Sequence, residues 1–172
     1  MAFTFNSTAS DTAANSYVSV SDANDLFAGN YSSFDKWDAL SDSEKQRLLV
    51  QATSYLNAWV YAGWKTSESQ KLEWPRQYLI DRYGKTVPST TVPKQMEEAT
   101  CLMAEWFLTE EDRLLPDIAT LQYDTFKAGP LDLQIRKGGR LMPIGIEDLI
   151  SSIATGVLVS TTQSSPSVRF VR

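Results

Sequence analysis

The sequence predicts a mainly α fold, a small helical bundle that carries a β-ribbon insertion and extends arms at both ends. Three observations lead to it. Two long stretches, 41–63 and 92–107, repeat apolar residues at steps of three and four, the period of an amphipathic helix. A stretch at about 120–142 alternates apolar and polar residues instead, the period of a strand. The composition, 42% hydrophobic and 22% charged over 172 residues, is that of one ordinary globular domain. The expected layout is a flexible N-terminal arm (1–15), a helical domain (16–157) and a C-terminal tail (158–172).

The first fifteen residues are small and polar, hence the arm. Ser16 to Val20 alternates and reads as a short extended piece. Ser21 and Asp22 then look like an N-cap with an acidic first turn, opening a short helix through Ala23, Leu26 and Phe27 that stops at Gly29-Asn30. Ser41 and Glu44 match a capping box. Behind it, Leu48, Ala52, Tyr55 and Trp59 run beside Leu49, Leu56 and Val60 as one broad apolar face, ending before Gly63.

A second strong helix begins near Pro93, whose missing N–H is harmless in a first turn. Its stripe is Val92, Met96, Ala99, Met103 and Trp106, widened by Leu102 and Phe107. Between the two helices lies an irregular stretch rich in aromatics, expected to pack on them; Trp74-Pro75 cannot be helix interior. Leu121, Tyr123 and Thr125, then Leu131, Leu133 and Ile135, supply the ribbon, broken at Gly129-Pro130. A ribbon of so few strands needs support from the helices or from another subunit. After Pro143 comes a last short helix with Ile146, Leu149, Ile150 and Ile153 inward. The tail is a polar tether ending in Val168-Arg169-Phe170-Val171-Arg172, an apolar and basic peptide suited to docking on a partner.

The chemistry is sparse. Histidine is absent, which removes the usual general base near neutral pH, the commonest metal ligand and every Ser-His-Asp arrangement. The single Cys101 sits in an apolar helical pattern beside Glu97, Glu98 and Glu105, which reads as a small buried hydrophobe rather than a reactive thiol. No phosphate-cradling loop is present, and Glu110-Glu111-Asp112 reads as a solvated helix end. Any two of the 21 acids could meet in space, but no spacing selects a catalytic pair. No enzymatic activity, metal or cofactor is expected. The N-terminus lacks a basic region followed by an apolar run, and no segment approaches a membrane span. The expectation is therefore a soluble protein, intracellular where it is made.

Charge is uneven. Up to Phe126 there are 10 Lys+Arg against 18 Asp+Glu; from Lys127 onward there are 6 against 3, for a net charge of −5. An acidic body with a basic distal third suggests two surfaces that meet different partners or copies of one another. The 5 Trp, 7 Tyr and 7 Phe are ample for stacking on bases, and Trp64-Lys65, Trp74-Pro75-Arg76 and Arg82-Tyr83 set rings beside cations. Because most aromatics fall on apolar stripes and the body around them is acidic, they read as core.

Several phrases in order carry a resemblance: NSYVSVSDANDLFA (15–28), Trp37, LSDSEKQRLLVQATSYLNAWVYAGWK (40–65), QKLEWPRQYLIDRYGK (70–85) and VPKQMEEATCLMAEWFL (92–108). Together they resemble the phage-encoded family of DnaT-like single-stranded-DNA-binding proteins. That family in turn looks like the head–tail connectors, or adaptors, of tailed bacteriophages, whose ribbon and final helix are similar to KAGPLDLQIR (127–136) and MPIGIEDLI (142–150). The resemblance covers about 15–150. The connector reading implies a structural protein of the virion neck, made in the host cytoplasm. It would form a homo-oligomeric ring below the portal protein and join it to a neck, stopper or tail-completion protein, with genomic DNA passing through the lumen and no membrane involved. On that reading Val168, Arg169, Phe170, Val171 and Arg172 dock on the portal, and Leu131, Leu133, Ile135, Arg136, Lys137 and Arg140 of the ribbon contact neighbouring subunits or partners. The absent catalytic chemistry, the under-supported ribbon, the tethered Arg169-Phe170-Val171-Arg172 end and the opposite charges of the two parts, which suit a ring's heterologous interfaces, favour the connector. The alternative is a DnaT-like single-stranded-DNA-binding protein.

Overall fold

A computed structural model of the chain describes residues 4–30, 33–109, 125–128, 131–134 and 144–158. Among these, five helices and two short antiparallel pairs appear: α1 (Val20–Asn30), α2 (Phe34–Asp38), α3 (Asp42–Leu56), β1 (Trp64–Lys65), β2 (Arg76–Gln77), α4 (Lys94–Thr109), β3 (Thr125–Ala128), β4 (Leu131–Gln134) and α5 (Ile144–Ser151). The mainly helical class with a two-strand ribbon is the one the sequence implies.

The capping box forms as the spacing requires. The Glu44 N–H donates to Ser41 Oγ at 3.4 Å, and the Ser41 N–H donates to Glu44 Oε2 at 2.8 Å. Ser41's hydroxyl and backbone hydrogen bonds, in that order, hold the Glu44 carboxyl below its ordinary range. From this start α3 packs along α4. Leu49, Ala52 and Leu56 meet Met96, Ala99 and Met103 in a core where each is fully buried. Leu48, Tyr55, Trp59, Leu102, Trp106 and Phe107 close its margins, half-buried. Val60 departs from the expected stripe: α3 ends at Leu56 with Asn57 as its C-cap, so Val60 lies beyond the helix and is exposed.

α1 starts earlier than its apparent cap. Ser19, not Ser21, accepts from the Asp22 N–H at 3.1 Å and donates to Asp22 Oδ2 at 2.6 Å. The five-residue α2 lays Trp37 flat on Phe27, centroids 4.1 Å apart and planes within 2°. Asn24 Oδ1 accepts from Trp37 Nε1 at 2.9 Å and from the buried Lys45 ammonium at 3.2 Å. Lys45 Nζ also stands 5.5 Å from the Trp37 ring centre. A buried ammonium is tolerable here because it has both an oxygen acceptor and the negative face of an indole.

The polar N-terminal segment lies against the body rather than standing off as an arm. Asn6 and Asn15 close it with reciprocal bonds, the Asn6 N–H donating to Asn15 Oδ1 at 2.8 Å and the Asn15 N–H to the Asn6 carbonyl at 2.8 Å. Phe5 packs on the core and Ala14 is buried. α5 rests on α4 and directs Ile146 and Ile150 inward, followed by Ile153 in the next turn, as expected. In the ribbon Phe126 pairs with Leu133 and Ala128 with Leu131. Of the ribbon positions singled out above, Leu131 and Leu133 lie on β4. Leu121, Tyr123, Ile135, Arg136, Lys137 and Arg140 lie outside the described residues, as do Glu110-Glu111-Asp112 and the tail residues Val168 to Arg172.

Candidate nucleic-acid interface

The chain between α3 and α4 forms a layer of loops across one end of the bundle, and one buried guanidinium organises it. Arg76, 6% exposed, uses all five of its N–H donors. Nε donates to the Ala62 carbonyl at 2.8 Å. Nη2 donates to the Tyr61 and Gly63 carbonyls at 3.0 and 2.8 Å. Nη1 donates to the Glu73 carbonyl at 3.1 Å and to Glu73 Oε2 at 2.6 Å. Three consecutive carbonyls are thereby fixed to the opposite strand, in front of the β1–β2 pair, where Trp64 faces Gln77 and Lys65 faces Arg76. Glu73 also takes the Lys65 ammonium at 3.0 Å.

Beneath this layer Trp74, in a cis peptide with Pro75, meets Tyr61 edge-on at 5.5 Å. Tyr61 donates its hydroxyl to the Leu56 carbonyl at 2.8 Å, and burial pushes its phenol far above the ordinary range, so it remains a donor. Asn57 Oδ1, at the end of α3, accepts from the Glu73 N–H at 2.6 Å and from the Tyr17 hydroxyl at 2.7 Å. The turn after α5 completes the bolt: the Ala62 N–H donates to the Val157 carbonyl, the Thr155 N–H donates to the Ile80 carbonyl, and Tyr61 bridges Leu158. The layer is thus held from α3, from α5 and from within.

Its outer side is aromatic. Trp64 is 71% exposed, and Tyr78 and Tyr83 are each 76% exposed, with Ile80 also turned to solvent. Soluble domains seldom leave several large rings bare on one loop layer without a use for them. Two backbone features put them there. Tyr78 has φ +64, a left-handed conformation unusual for a bulky residue, and it sits between the buried Arg76 and the buried Leu79. Gly63, at φ +74, lets the chain pass so close to β2 that a Cβ there would lie 2.5 Å from the Gln77 carbonyl oxygen. Trp64 and Tyr78 line an open groove of about 790 Å³ together with Lys65, Glu68, Glu73, Arg76 and Gln77.

Tyr83 stands on a tight turn. Asp81 Oδ1 accepts from the Tyr83 and Lys85 N–H groups, both at 2.8 Å, and the Asp81 N–H donates to the Lys85 carbonyl at 2.8 Å. The Arg82 guanidinium lies 5.4 Å from the Tyr83 ring centre. The expectation that the loop aromatics are core therefore holds for Trp74 but fails for Trp64, Tyr78 and Tyr83. Of the three ring-and-cation phrases, Trp64-Lys65 and Arg82-Tyr83 reach the surface, whereas Trp74-Pro75-Arg76 is buried and its guanidinium fully engaged.

Charge follows the same division. From Val60 to Lys94 there are six basic residues (Lys65, Lys71, Arg76, Arg82, Lys85, Lys94) and three acidic ones (Glu68, Glu73, Asp81). From Thr4 to Trp59 there are three basic residues against seven acidic ones. Lys71, Arg82, Lys85 and Lys94 are exposed, and no ion pair among the described residues engages them. At physiological salt a charge is felt over only about 8 Å, so a ligand on the loop layer meets the local cations rather than the molecule's net charge. A bare ring beside an unpaired cation, as at Tyr83 and Arg82, can stack a flat aromatic group and hold a phosphate.

Other chemistry is scarce among the described residues. No group of three or more His, Cys, Asp or Glu side chains could hold a metal, and no helix is long and apolar enough to cross a membrane. Cys101 is buried on α4, and burial with Glu97 and Glu98 nearby pushes its thiol far above the ordinary range, as an inert hydrophobe requires.

No curated protein and no solved structure matches the chain. One family model, described as "Putative DnaT-like ssDNA binding protein", matches residues 1–172. That match corrects the expectation of a virion connector forming a neck ring, because the whole chain fits the family that was the alternative. The error lay in weighing the acidic average of the body above the basic, aromatic segment within it. By that full-length match, the chain belongs to the DnaT-like ssDNA-binding family.

Proposed function

We propose that the protein binds single-stranded DNA on the loop layer between α3 and α4. Trp64 and Tyr78 are the principal stacking residues, and Lys71, Arg82, Lys85 and Lys94 attract the backbone phosphates. One observation carries the reading: Trp64, Tyr78 and Tyr83 stand bare on the segment where basic residues outnumber acidic ones two to one. Family membership points the same way.

The chemistry favours single strands over duplexes. An unpaired base offers both faces to a ring, whereas a duplex hides them in its stack. The layer contains no long helix or ribbon of a size to enter a major groove. Sequence preference is expected to be weak, since every base has a face to stack. The test is a titration of the full chain with oligothymidylate, followed by quenching of Trp64 emission, with duplex DNA of the same length as competitor. Quenching that duplex DNA fails to reverse supports the proposal. No quenching, or equal competition by duplex, refutes it.

A further inference from the structure

A second concavity shares none of the open groove's lining. It measures about 430 Å³ and sits between the Asp81–Lys85 turn, the approach to α4 and the turn after α5. That volume falls within the range of about 300–1,000 Å³ typical of small-molecule sites. Its inner wall is apolar, with Val87 and Ile153 buried at 7% and 4% exposure. Pro93 adds to that wall, Tyr83 gives an aromatic side, and Arg82 and Lys94 are its cationic lining. Asp81 also lines it, but its Oδ1 is committed to the Tyr83 and Lys85 N–H groups. The open groove offers the rings of Trp64 and Tyr78; this one sets the Tyr83 ring with Val87, Ile153 and two cations, Arg82 and Lys94.

We infer that this cavity is a single-nucleotide station, taking one base against Tyr83, Val87 and Ile153 with its phosphate between Arg82 and Lys94. The inference rests on the single-strand reading and deepens it. A nucleotide held in this concavity would fix a strand's position in a way that open stacking on Trp64 and Tyr78 does not. The flat face of a base matches the wall, and an anion matches two cations that no ion pair among the described residues occupies. The turn that carries Arg82 and Tyr83 is already closed by Asp81, so little ordering is needed on binding.

The test uses the full chain and two probes, oligothymidylate and thymidine 5′-monophosphate. Methyl NMR signals of Val87 and Ile153 report the cavity, and the Trp64 indole signal reports the open groove. Both probes are expected to shift the Val87 and Ile153 methyls in the native chain. In the R82A/K94A variant, whose exposed side chains leave the fold intact, those shifts vanish, oligothymidylate binding weakens roughly tenfold and its salt slope falls by about 0.7. If the oligomer shifts Trp64 but leaves both methyls unmoved, the station is overturned while binding on the loop layer stands. If the variant binds like the native chain with the same salt slope, the station is likewise overturned. If the native chain binds no oligomer at all, the single-strand reading falls and the station falls with it.

Discussion

Arg76 and Trp64 share one ladder and do opposite things. The guanidinium is sunk beneath the surface with all five N–H groups bonded, while the indole one position along the ladder, opposite Gln77, is bare. Replacing Arg76 with Met leaves four carbonyls and Glu73 Oε2 without their Arg76 donor. Breaking such a pair costs about 3–5 kcal/mol, measurable by urea denaturation. Trp64→Ala is expected to leave the urea midpoint unchanged, because the ring contributes little buried area. It should nevertheless weaken single-strand binding by the worth of one stacked base, about 1–3 kcal/mol, measured by anisotropy. Sequence alone does not separate these roles. Trp64 and Trp74 are both tryptophans beside a cation in a loop without periodicity, so no repeat assigns one inward and the other outward. The deciding features are the φ of Tyr78 and the carbonyl clamp of Arg76, both of which depend on residues distant in sequence.

Among the elements, α3 and α4 are the most legible, because a face repeating every three to four residues has one way to be buried and the Ser41–Glu44 box marks its own start. Ser41→Ala is expected to lower stability by about 1 kcal/mol at neutral pH, by thermal melting. The difference from the native chain should shrink as pH falls. Glu44's carboxyl is held below its ordinary range, so its contribution is present above that range and lost on acidification through it. Glu97 on α4 behaves in the opposite sense. Burial, then the nearby Asp22, raises its carboxyl above the ordinary range, so it favours the fold at acid pH and that contribution is lost as pH rises. Glu97→Gln is therefore expected to raise the melting temperature at neutral pH and to leave it nearly unchanged below the carboxylate range. Shorter elements were harder to read. The five residues of α2 span too little chain to show a period, though Trp37 is among the most buried side chains in the protein. The start of α1 offers two serines, and the one that caps is chosen by the chain that precedes it, where Tyr17 and Val18 are buried.

At the scale of the molecule, the proposed function makes the helical bundle a scaffold and the loop layer its binding surface. The bundle is acidic and the layer basic, a division hidden when charge is summed over the first 126 residues and plain when it is summed from Val60 to Lys94. Screening makes the second sum the relevant one, and the same argument sets the expected salt response. Four exposed cations on the layer, if each meets a phosphate, give a slope of log K on log salt of about −2 to −3 for a single strand. The most direct measurement is the anisotropy of a labelled oligothymidylate titrated with the native chain and with a W64A/Y78A double variant, at several salt concentrations. The account expects the native chain to bind with that slope. It expects the variant, equally folded by circular dichroism, to bind at least tenfold more weakly with the slope nearly unchanged, since stacking is lost and the cations remain. Equal binding by the two proteins, or no salt-dependent binding by the native chain, would contradict it.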